Sequence, residues 1–206
     1  MLYPVKMPWI MKKIAPSLIY RINTEDKNIY LTFDDGPFDE TTPEILSILK
    51  SYNAKATFFC LGKNVKLYPE LYHSLLENGH TTGIHGYEHL NGWKTKNREY
   101  YRDIEKASLL IDSVLFRPPY GKIRPDQIRH LKKKYKIIMW DVLSGDFDPA
   151  TSIERCKNNV LNNVSPGSIV VMHDSLKAKE KVLGILPEIL KELSKRGYRF
   201  KVLPPR

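Results

Sequence analysis

The stretch "NIYLTFDDGPFDE", residues 28–40, changes from an apolar run to acidic and turn-forming residues within a few positions. Its first six residues are mostly β-branched, aromatic or aliphatic, which predicts a buried strand over 28–33. Asp34 and Asp35 follow at once, and Gly36-Pro37 ends the run with turn formers. Adjacent carboxylates repel each other, and each is costly to bury without a partner. The stretch therefore predicts either a solvated turn or a built polar site.

The rest of the chain predicts an α/β fold. Six further short segments rich in β-forming residues lie at 55–61, 80–85, 114–118, 135–140, 168–173 and 198–203. Segments with helical spacing separate most of them, at 42–52, 69–79, 98–112, 125–134, 152–164 and 181–197. Alternating strands and helices are typical of a parallel sheet. We predict a distorted (β/α) barrel with about seven parallel strands.

Length and composition indicate one domain. The 206 residues are 42% hydrophobic and 27% charged, as in ordinary globular proteins. We predict an N-terminal arm over 1–27 that packs on a domain covering 28–206. The arm is apolar and basic, but prolines interrupt it, so it lacks the continuous apolar region of a cleavable signal peptide. We expect no transmembrane segment and a cytoplasmic or surface-associated protein, and association with a membrane surface stays an alternative.

Charge and cysteine content limit the partners. The two cysteines, Cys60 and Cys156, do not form a disulfide framework and suggest no redox site. A net charge of +10 favours attraction to anionic polymers. The chain contains no zinc-finger or RNP-type motif, so we expect no nucleic-acid partner. The oligomeric state stays open.

Chemically active side chains collect where the predicted strands end. They are Asp34 and Asp35, His85, Arg117, Trp140 and Asp141, and His173 and Asp174. In a parallel barrel the carboxyl ends of the strands share one face, where active sites are built. Unrelated solvated turns would not concentrate such residues there, so the pattern favours a built polar site.

The segment "GIHGYEHLNGW", residues 83–93, suggests a metal site. His85 and His89 are four residues apart, which places both imidazoles on one face if the segment turns helically. Two imidazoles and nearby carboxylates form a suitable ligand set. The letters also fit H-x-x-E-H, the pattern of one metallopeptidase class, with Glu88 in the reversed position. That alternative needs a sustained helix, which the glycines of this segment disfavour.

Two further motifs supply a cation and an acid. "FRPPYG" places Arg117 at a strand end before two rigid prolines, and this side chain can neutralise an aspartate. "VVMHD" ends a buried strand at His173. The segment "WDVLSGDFD" offers Asp141, Asp146 and Asp148, and any of these carboxylates could orient that imidazole.

Taken together, these motifs resemble the polysaccharide deacetylases, the family of the NodB homology domain, over residues 28–203. "TFDDGP" and "RPPYG" match two family motifs in full. "HGYEH" resembles H-[ST]-x-x-H, with Gly86 in place of Ser or Thr. "SGDF" resembles the end of the fourth motif, with Phe147 in place of Trp. "VMH" is similar to L-x-H, with Val171 in place of Leu.

The resemblance implies a role for each matched residue. Asp35, His85 and His89 would hold a divalent metal ion, with Zn²⁺ as the first choice and Co²⁺, Ni²⁺ or Mn²⁺ as substitutes. Asp34 would be the general base, held by Arg117, and His173 the general acid, oriented by Asp146. The backbone N–H of Tyr120 would help to bind the oxyanion. The departure at Gly86 implies weaker metal affinity, and Phe147 keeps an aromatic wall without an indole donor.

These roles predict a hydrolase that removes N-acetyl groups from an N-acetylated amino-sugar oligosaccharide or polysaccharide. Three protein ligands leave metal positions open, as in catalytic sites, and the basic leaving amine needs an acid such as histidine. Alternatives are a formamide or cyclic-amide hydrolase on the same fold, a weakly active carbohydrate-binding relative, or a basic domain that adheres to anionic polymers. Chitin-like oligomers, peptidoglycan and envelope polysaccharides all carry the required acetamide.

Overall fold

The computed structural model describes residues 3–204. Its strands are β1 (Leu18–Ile19), β2 (Asn28–Asp34), β3 (Ala56–Cys60), β4 (Thr81–Ile84), β5 (Leu115–Phe116), β6 (Lys136–Ile138), β7 (Val142–Leu143), β8 (Ile169–His173) and β9 (Arg199–Phe200). The helices are α1 (Trp9–Ile14), α2 (Thr42–Ser51), α3 (Gly62–Leu67), α4 (Pro69–Glu77), α5 (Asn97–Ser108), α6 (Pro125–Leu131), α7 (Ile153–Leu161) and α8 (Lys179–Lys195). A 3₁₀ turn covers Pro119–Gly121.

The strands form one curled parallel sheet in the order β1-β6-β5-β4-β3-β2-β8-β7, and β9 pairs with the first residues of β2. This arrangement confirms the predicted distorted (β/α) barrel. All seven predicted strands are present, with bounds that differ by a few residues. The strands β1 and β7 were not predicted, and neither were helices α1 and α3. Among the described residues, no helix is long and apolar enough to span a bilayer.

Side-chain alternation along β2 separates the core into two layers. Leu31 and Phe33 join the large cluster that contains the apolar faces of the helices. Tyr30 instead belongs to a smaller cluster with Phe59, Leu115, Ile138, Ile169 and Leu203. Successive residues of a strand point to opposite faces, so Thr32 and Asp34 share the inner face with Tyr30. Asp34 therefore ends a strand inside the curled sheet.

Three helices begin where local sequence signals predict. Pro43, Pro69 and Pro125 lie in the first turns of α2, α4 and α6, where the missing N–H has no intrahelical acceptor to lose. Helices α2 and α6 begin after the loop from the preceding strand, whereas α4 follows α3 directly at Tyr68. Because the strands are parallel, the loops after β2, β4, β5 and β8 lie at one end of the sheet.

The N-terminal segment lies along both edges of the sheet. The N–H of Met7 donates to the carbonyl of Asp141 at 2.8 Å, and the N–H of Leu143 donates to that of Val5 at 2.9 Å. Further on, β1 pairs with β6. These bonds cover strand edges that would otherwise expose unpaired backbone groups. The boundary between arm and domain at residue 27 stays a prediction, and residues 1–2 and 205–206 lie outside the described residues.

Candidate active site

The predicted site residues meet at one rim of the sheet. Asp34, the last residue of β2, pairs in register with His173, the last residue of β8. His85 directly follows β4, and Arg117 directly follows β5. Because these strands are parallel, their carboxyl ends lie on the same side. The rim therefore brings together side chains that are up to 139 positions apart in the chain, from 34 to 173.

Asp34 is paired with a fully buried arginine. Arg117 has no exposed surface, and its Nη1 lies 2.5 Å from Asp34 Oδ1. The guanidinium also donates to the Thr32 hydroxyl at 2.7 Å and to the Met139 carbonyl at 3.0 Å. Burial lowers the pKa of Arg117, and the carboxylate of Asp34 partly offsets this effect. Asp34 thus has Arg117 as its cationic partner.

Asp35 faces the two histidines instead. Its Oδ1 lies 3.2 Å from His89 Nε2 and 3.7 Å from His85 Nε2. Asp35 has a left-handed backbone conformation with φ of 84°, and the amide of Asn64 donates to its carbonyl at 2.7 Å. This turn directs Asp35 away from the partner of Asp34 and towards the imidazoles.

The donor set of Asp35, His85 and His89 fits a divalent metal ion. One ligand atom from each residue lies within 4.8 Å of the others. The buried Oδ1 of Asp35 makes no hydrogen bond to any residue within 3–204. His85 Nδ1 lies 2.8 Å from the Arg117 carbonyl, a contact that needs an N–H and leaves Nε2 as the free lone pair. Burial, together with His85, lowers the pKa of His89 to about 4, so its imidazole is neutral, as a ligand must be.

The segment between the two histidines does not turn helically. Residues 85–91 form a loop, in which Gly86 has φ of 79° and His89 has φ of 64°. These left-handed residues stop helix propagation, yet they bring the rings to a centroid distance of 5.0 Å. The loop also removes the support for a metallopeptidase, because Glu88 is 53% exposed and pairs with Lys63 at 3.4 Å.

His173 and Asp146 form a second pair, in which Asp146 is fully buried and the His173 side chain is 15% exposed. His173 Nδ1 lies 2.8 Å from Asp146 Oδ1, and the His173 backbone N–H donates to Oδ2 at 2.7 Å. The hydroxyl of Ser144 donates to Oδ1 at 2.8 Å. Burial lowers the pKa of His173, but the negative charge and hydrogen bond of Asp146 outweigh it and raise that pKa to about 10. The imidazole is therefore held as a proton donor.

Of the three carboxylates that could orient His173, only Asp146 is placed beside it. Asp141 is fully buried and accepts hydrogen bonds from Lys6 at 2.7 Å and from Ser168 at 2.6 Å. Asp148 accepts a hydrogen bond from the backbone N–H of Ala150 at 3.0 Å. The geometry therefore favours Asp146, as the resemblance implied.

Tyr120 lies beside the candidate metal ligands. The residue is 59% exposed, and its ring centroid is 4.4 Å from that of His89. The residue has φ of 60° within the 3₁₀ turn. This position puts the Tyr120 backbone at the rim, where the resemblance implied an oxyanion donor.

Asp174 has a structural contact that was not predicted from the sequence. Its buried carboxylate accepts hydrogen bonds from the Gly36 N–H at 2.8 Å and from the Thr42 hydroxyl at 2.9 Å. Burial is the main cause that raises the pKa of Asp174 to about 7. A Cβ at position 36 would lie 1.9 Å from Asp174 Oδ2, so only glycine fits there. The position of Asp174 at the end of a predicted strand is the sequence feature that could have indicated this contact.

The aromatic wall at Phe147 has two neighbours. Its ring centroid lies 5.3 Å from that of His173 and 5.1 Å from that of Tyr3. The Tyr3 hydroxyl lies 3.1 Å from that of Thr151. The N-terminal arm therefore supports the residue that packs against His173, a contact that no local pattern indicates.

The fold and the site together define a class of hydrolases, in which a (β/α) barrel carries an Asp-His-His cluster between an aspartate paired with arginine and a histidine paired with aspartate. The family model described as polysaccharide deacetylase matches residues 21–139, which is more than half of the chain. The chain belongs to this family. The recognition from sequence motifs is thereby confirmed.

Known relatives agree with this assignment. The chain is 35% identical over 184 residues to a peptidoglycan-N-acetylglucosamine deacetylase of Bacillus cereus, covering 85% of this chain and 66% of that protein. It is 31% identical over 204 residues to a chitooligosaccharide deacetylase of Azorhizobium caulinodans, covering 89% and 96%. A crystal structure of a peptidoglycan N-acetylglucosamine deacetylase in complex with 4-naphthalen-1-yl-N-oxidanyl-benzamide is similar with a TM-score of 0.88 and 31% identity, covering 96% of this chain and 95% of that one.

Proposed function

We propose that this protein is a metal-dependent deacetylase that removes N-acetyl groups from N-acetylated amino-sugar glycans. The observation that carries the proposal is that Asp34, His173 and the Asp35-His85-His89 cluster each have different neighbours at the rim. Asp34 is bound by Arg117, His173 is bound by Asp146, and the Asp35-His85-His89 cluster lies with them. Base, acid and ligand set are thus three distinct groups, as amide hydrolysis requires.

Each side chain has a task in this reaction. A divalent ion bound by the cluster would polarise the acetamide carbonyl and acidify water. Asp34 accepts the proton of the attacking water, and Arg117 holds this carboxylate in place. His173 donates a proton to the leaving amine nitrogen, which is too basic to depart as an anion. The Tyr120 N–H stabilises the negative charge that develops on the carbonyl oxygen.

We propose Zn²⁺ as the metal, because two imidazoles and one carboxylate are typical ligands of a catalytic zinc site. Co²⁺, Ni²⁺ or Mn²⁺ could replace it. The substrate class rests on the relatives, which are named for peptidoglycan and for chitooligosaccharides. Both carry the N-acetylglucosamine acetamide, and we propose a glycan of this type as the substrate.

The adjacent aspartates give the sharpest test of the proposal. Asp35→Asn should lose zinc and activity together, since it removes a ligand. Asp34→Asn should keep zinc and lose turnover by about 10²-fold or more, the usual contribution of a positioned base. Zinc content would be measured by elemental analysis, and turnover by acetate release from chitooligosaccharides and peptidoglycan. Equal loss of zinc in both variants would show that Asp34 is a ligand and not the base.

The same assay separates the alternative activities. Release of formate, or opening of a cyclic amide, without acetate release from any glycan would identify another amide hydrolase on this fold. If the protein is retained on an immobilised glycan but releases no acetate, it is a carbohydrate-binding protein. A matched control is Glu105→Gln, which changes an exposed carboxylate on α5 and should leave zinc content and turnover unchanged.

A further inference from the structure

A buried carboxylate from helix α5 binds the loop that carries both histidine ligands. Asp103 is 8% exposed and accepts hydrogen bonds from the backbone N–H groups of Tyr87 and Glu88, each at 2.8 Å. These two residues lie between His85 and His89 in the chain. One side chain therefore fixes two consecutive peptide groups of the loop.

The other side of the loop is fixed by helix α3. The N–H of Gly62 donates to the Gly86 carbonyl at 2.9 Å, and the N–H of Lys63 donates to the Tyr87 carbonyl at 3.4 Å. Helix N-termini have free N–H groups, so these contacts satisfy both partners. The loop has no helical hydrogen bonds of its own here. Its polar backbone thus depends on α3 for its carbonyls and on Asp103 for its N–H groups.

Gly86 permits the close approach of Asp103. A Cβ at position 86 would lie 2.6 Å from Asp103 Oδ2, closer than real Cβ contacts allow. The φ of 79° at Gly86 also disfavours any other residue. The glycine and the aspartate are therefore a matched pair, since the space that the missing side chain leaves is filled by the carboxylate.

We propose that Asp103 is a positioning residue for the metal site: by holding the Tyr87 and Glu88 N–H groups, it sets the approach of the His89 imidazole to His85 and Asp35. Asp103 touches neither ligand side chain in the contacts described and acts through the loop. The inference rests on the proposed metal site and adds a residue on a different helix to it. Groups that orient metal ligands typically contribute 10- to 100-fold to metal affinity.

The test measures metal binding by the full-length protein after removal of its metal. Zinc affinity would be determined by competition with a chromophoric chelator for the wild type and for Asp103→Ala, Asp103→Asn and Glu105→Ala. We expect a loss of affinity of about 10- to 100-fold for Asp103→Ala and a smaller loss for Asp103→Asn, which keeps one acceptor oxygen. Glu105→Ala, an exposed carboxylate of the same helix, should match the wild type.

The visible spectrum of the Co²⁺-substituted protein adds a readout that a general loss of stability would not move. The Asp103→Ala band positions should shift, because the ligand geometry changes. Thermal unfolding of each metal-free variant reports whether the fold is kept. If Asp103→Ala fails to fold, Asp103→Asn carries the same comparison.

Coupling with Gly86 makes the proposal specific. In the wild-type background, Gly86→Ala should weaken zinc binding through both the clash with Asp103 and the unfavourable φ. In the Asp103→Ala background only the second effect remains, so the added loss should be smaller. Zinc affinity of Asp103→Ala within twofold of the wild type, with an unchanged Co²⁺ spectrum, overturns the proposal. A wild type that binds no zinc overturns both this inference and the proposed function.

Discussion

Replacing Arg117 by methionine tests the energetics of the buried ion pair between Arg117 and Asp34. The variant removes the cation from Asp34, a residue that is 4% exposed and cannot recover its hydration. It also removes the hydrogen bonds to the Thr32 hydroxyl and the Met139 carbonyl. Removing one partner of a buried ion pair typically costs about 3–5 kcal/mol. Since the total stability of a domain is about 5–15 kcal/mol, the variant should fold but be markedly weakened.

Urea unfolding of the metal-free protein, followed by circular dichroism, measures this loss directly. Asp34→Asn should also destabilise, because it leaves Arg117 buried and charged. The double variant Arg117→Met/Asp34→Asn contains no buried charge at this position, so its loss should be smaller than the sum of the single losses by about 1 kcal/mol or more. The exposed pair of Lys63 and Glu88 is the control, and Lys63→Met should change stability by less than about 1 kcal/mol.

Two results would refute this reasoning. One is an Arg117→Met protein within about 1 kcal/mol of the wild type. The other is strict additivity of the two single substitutions in the double variant. Either result would mean that the short contact between Arg117 and Asp34 contributes no net interaction, and that the base needs no buried cation.

Four further predictions concern the site and the arm. At neutral pH, metal-free Asp35→Asn should be at least as stable as the wild type in thermal unfolding. The substitution removes a carboxylate whose buried oxygen makes no hydrogen bond within residues 3–204. A clear drop in melting temperature would contradict this prediction. The pKa of His173, about 10, lies above the value in the unfolded chain, so pairing with Asp146 stabilises the metal-free protein fully below about pH 6.5. This stabilisation is lost as the pH rises towards 10. The difference in unfolding free energy between the wild type and His173→Gln should therefore shrink over that range, and a constant difference would contradict the pairing. In the active enzyme, Asp146→Asn should move the alkaline limb of kcat/KM to lower pH with zinc retained. Lys6→Ala should cost about 1–3 kcal/mol in urea unfolding, because Asp141 stays fully buried without its ammonium partner; an unchanged midpoint would show that the arm contributes little.

The architecture was predictable because its long elements carry strong periodic signals. The strand at 28–33 and the helix around 181–197 are each specified by local apolar spacing. The strands β1 and β7 have two residues each and lie at the two ends of the strand order, where pairing with β6 and β8 defines them. Helix α3 begins with glycine directly after β3, where local propensity argues against a helix.

The chemistry of the site was more predictable than its support. Asp34, His85 and His173 stand at strand ends, and parallel topology alone brings them to one rim. The contact of Asp103 with the histidine loop depends on how α5 packs, which spacing does not reveal. A signal was nevertheless present, because Asp103 shares the buried face of α5 with Tyr100 and Ala107. A carboxylate on an apolar helix face indicates a buried partner.

The charges at the rim explain why two aspartates are adjacent in the chain. Asp34 is balanced by Arg117, and Asp146 is balanced by His173, so both acid-base groups are paired by the fold itself. Asp35 faces imidazoles instead, and His89 is uncharged at neutral pH because its pKa is lowered to about 4. Neighbouring positions at a strand end thus direct one carboxylate inwards to a fixed cation and the other towards the imidazoles of His85 and His89. Under the proposed function, the base and the acid are therefore organised before any metal binds, and the Asp35 carboxylate is the group that attracts a cation to the rim.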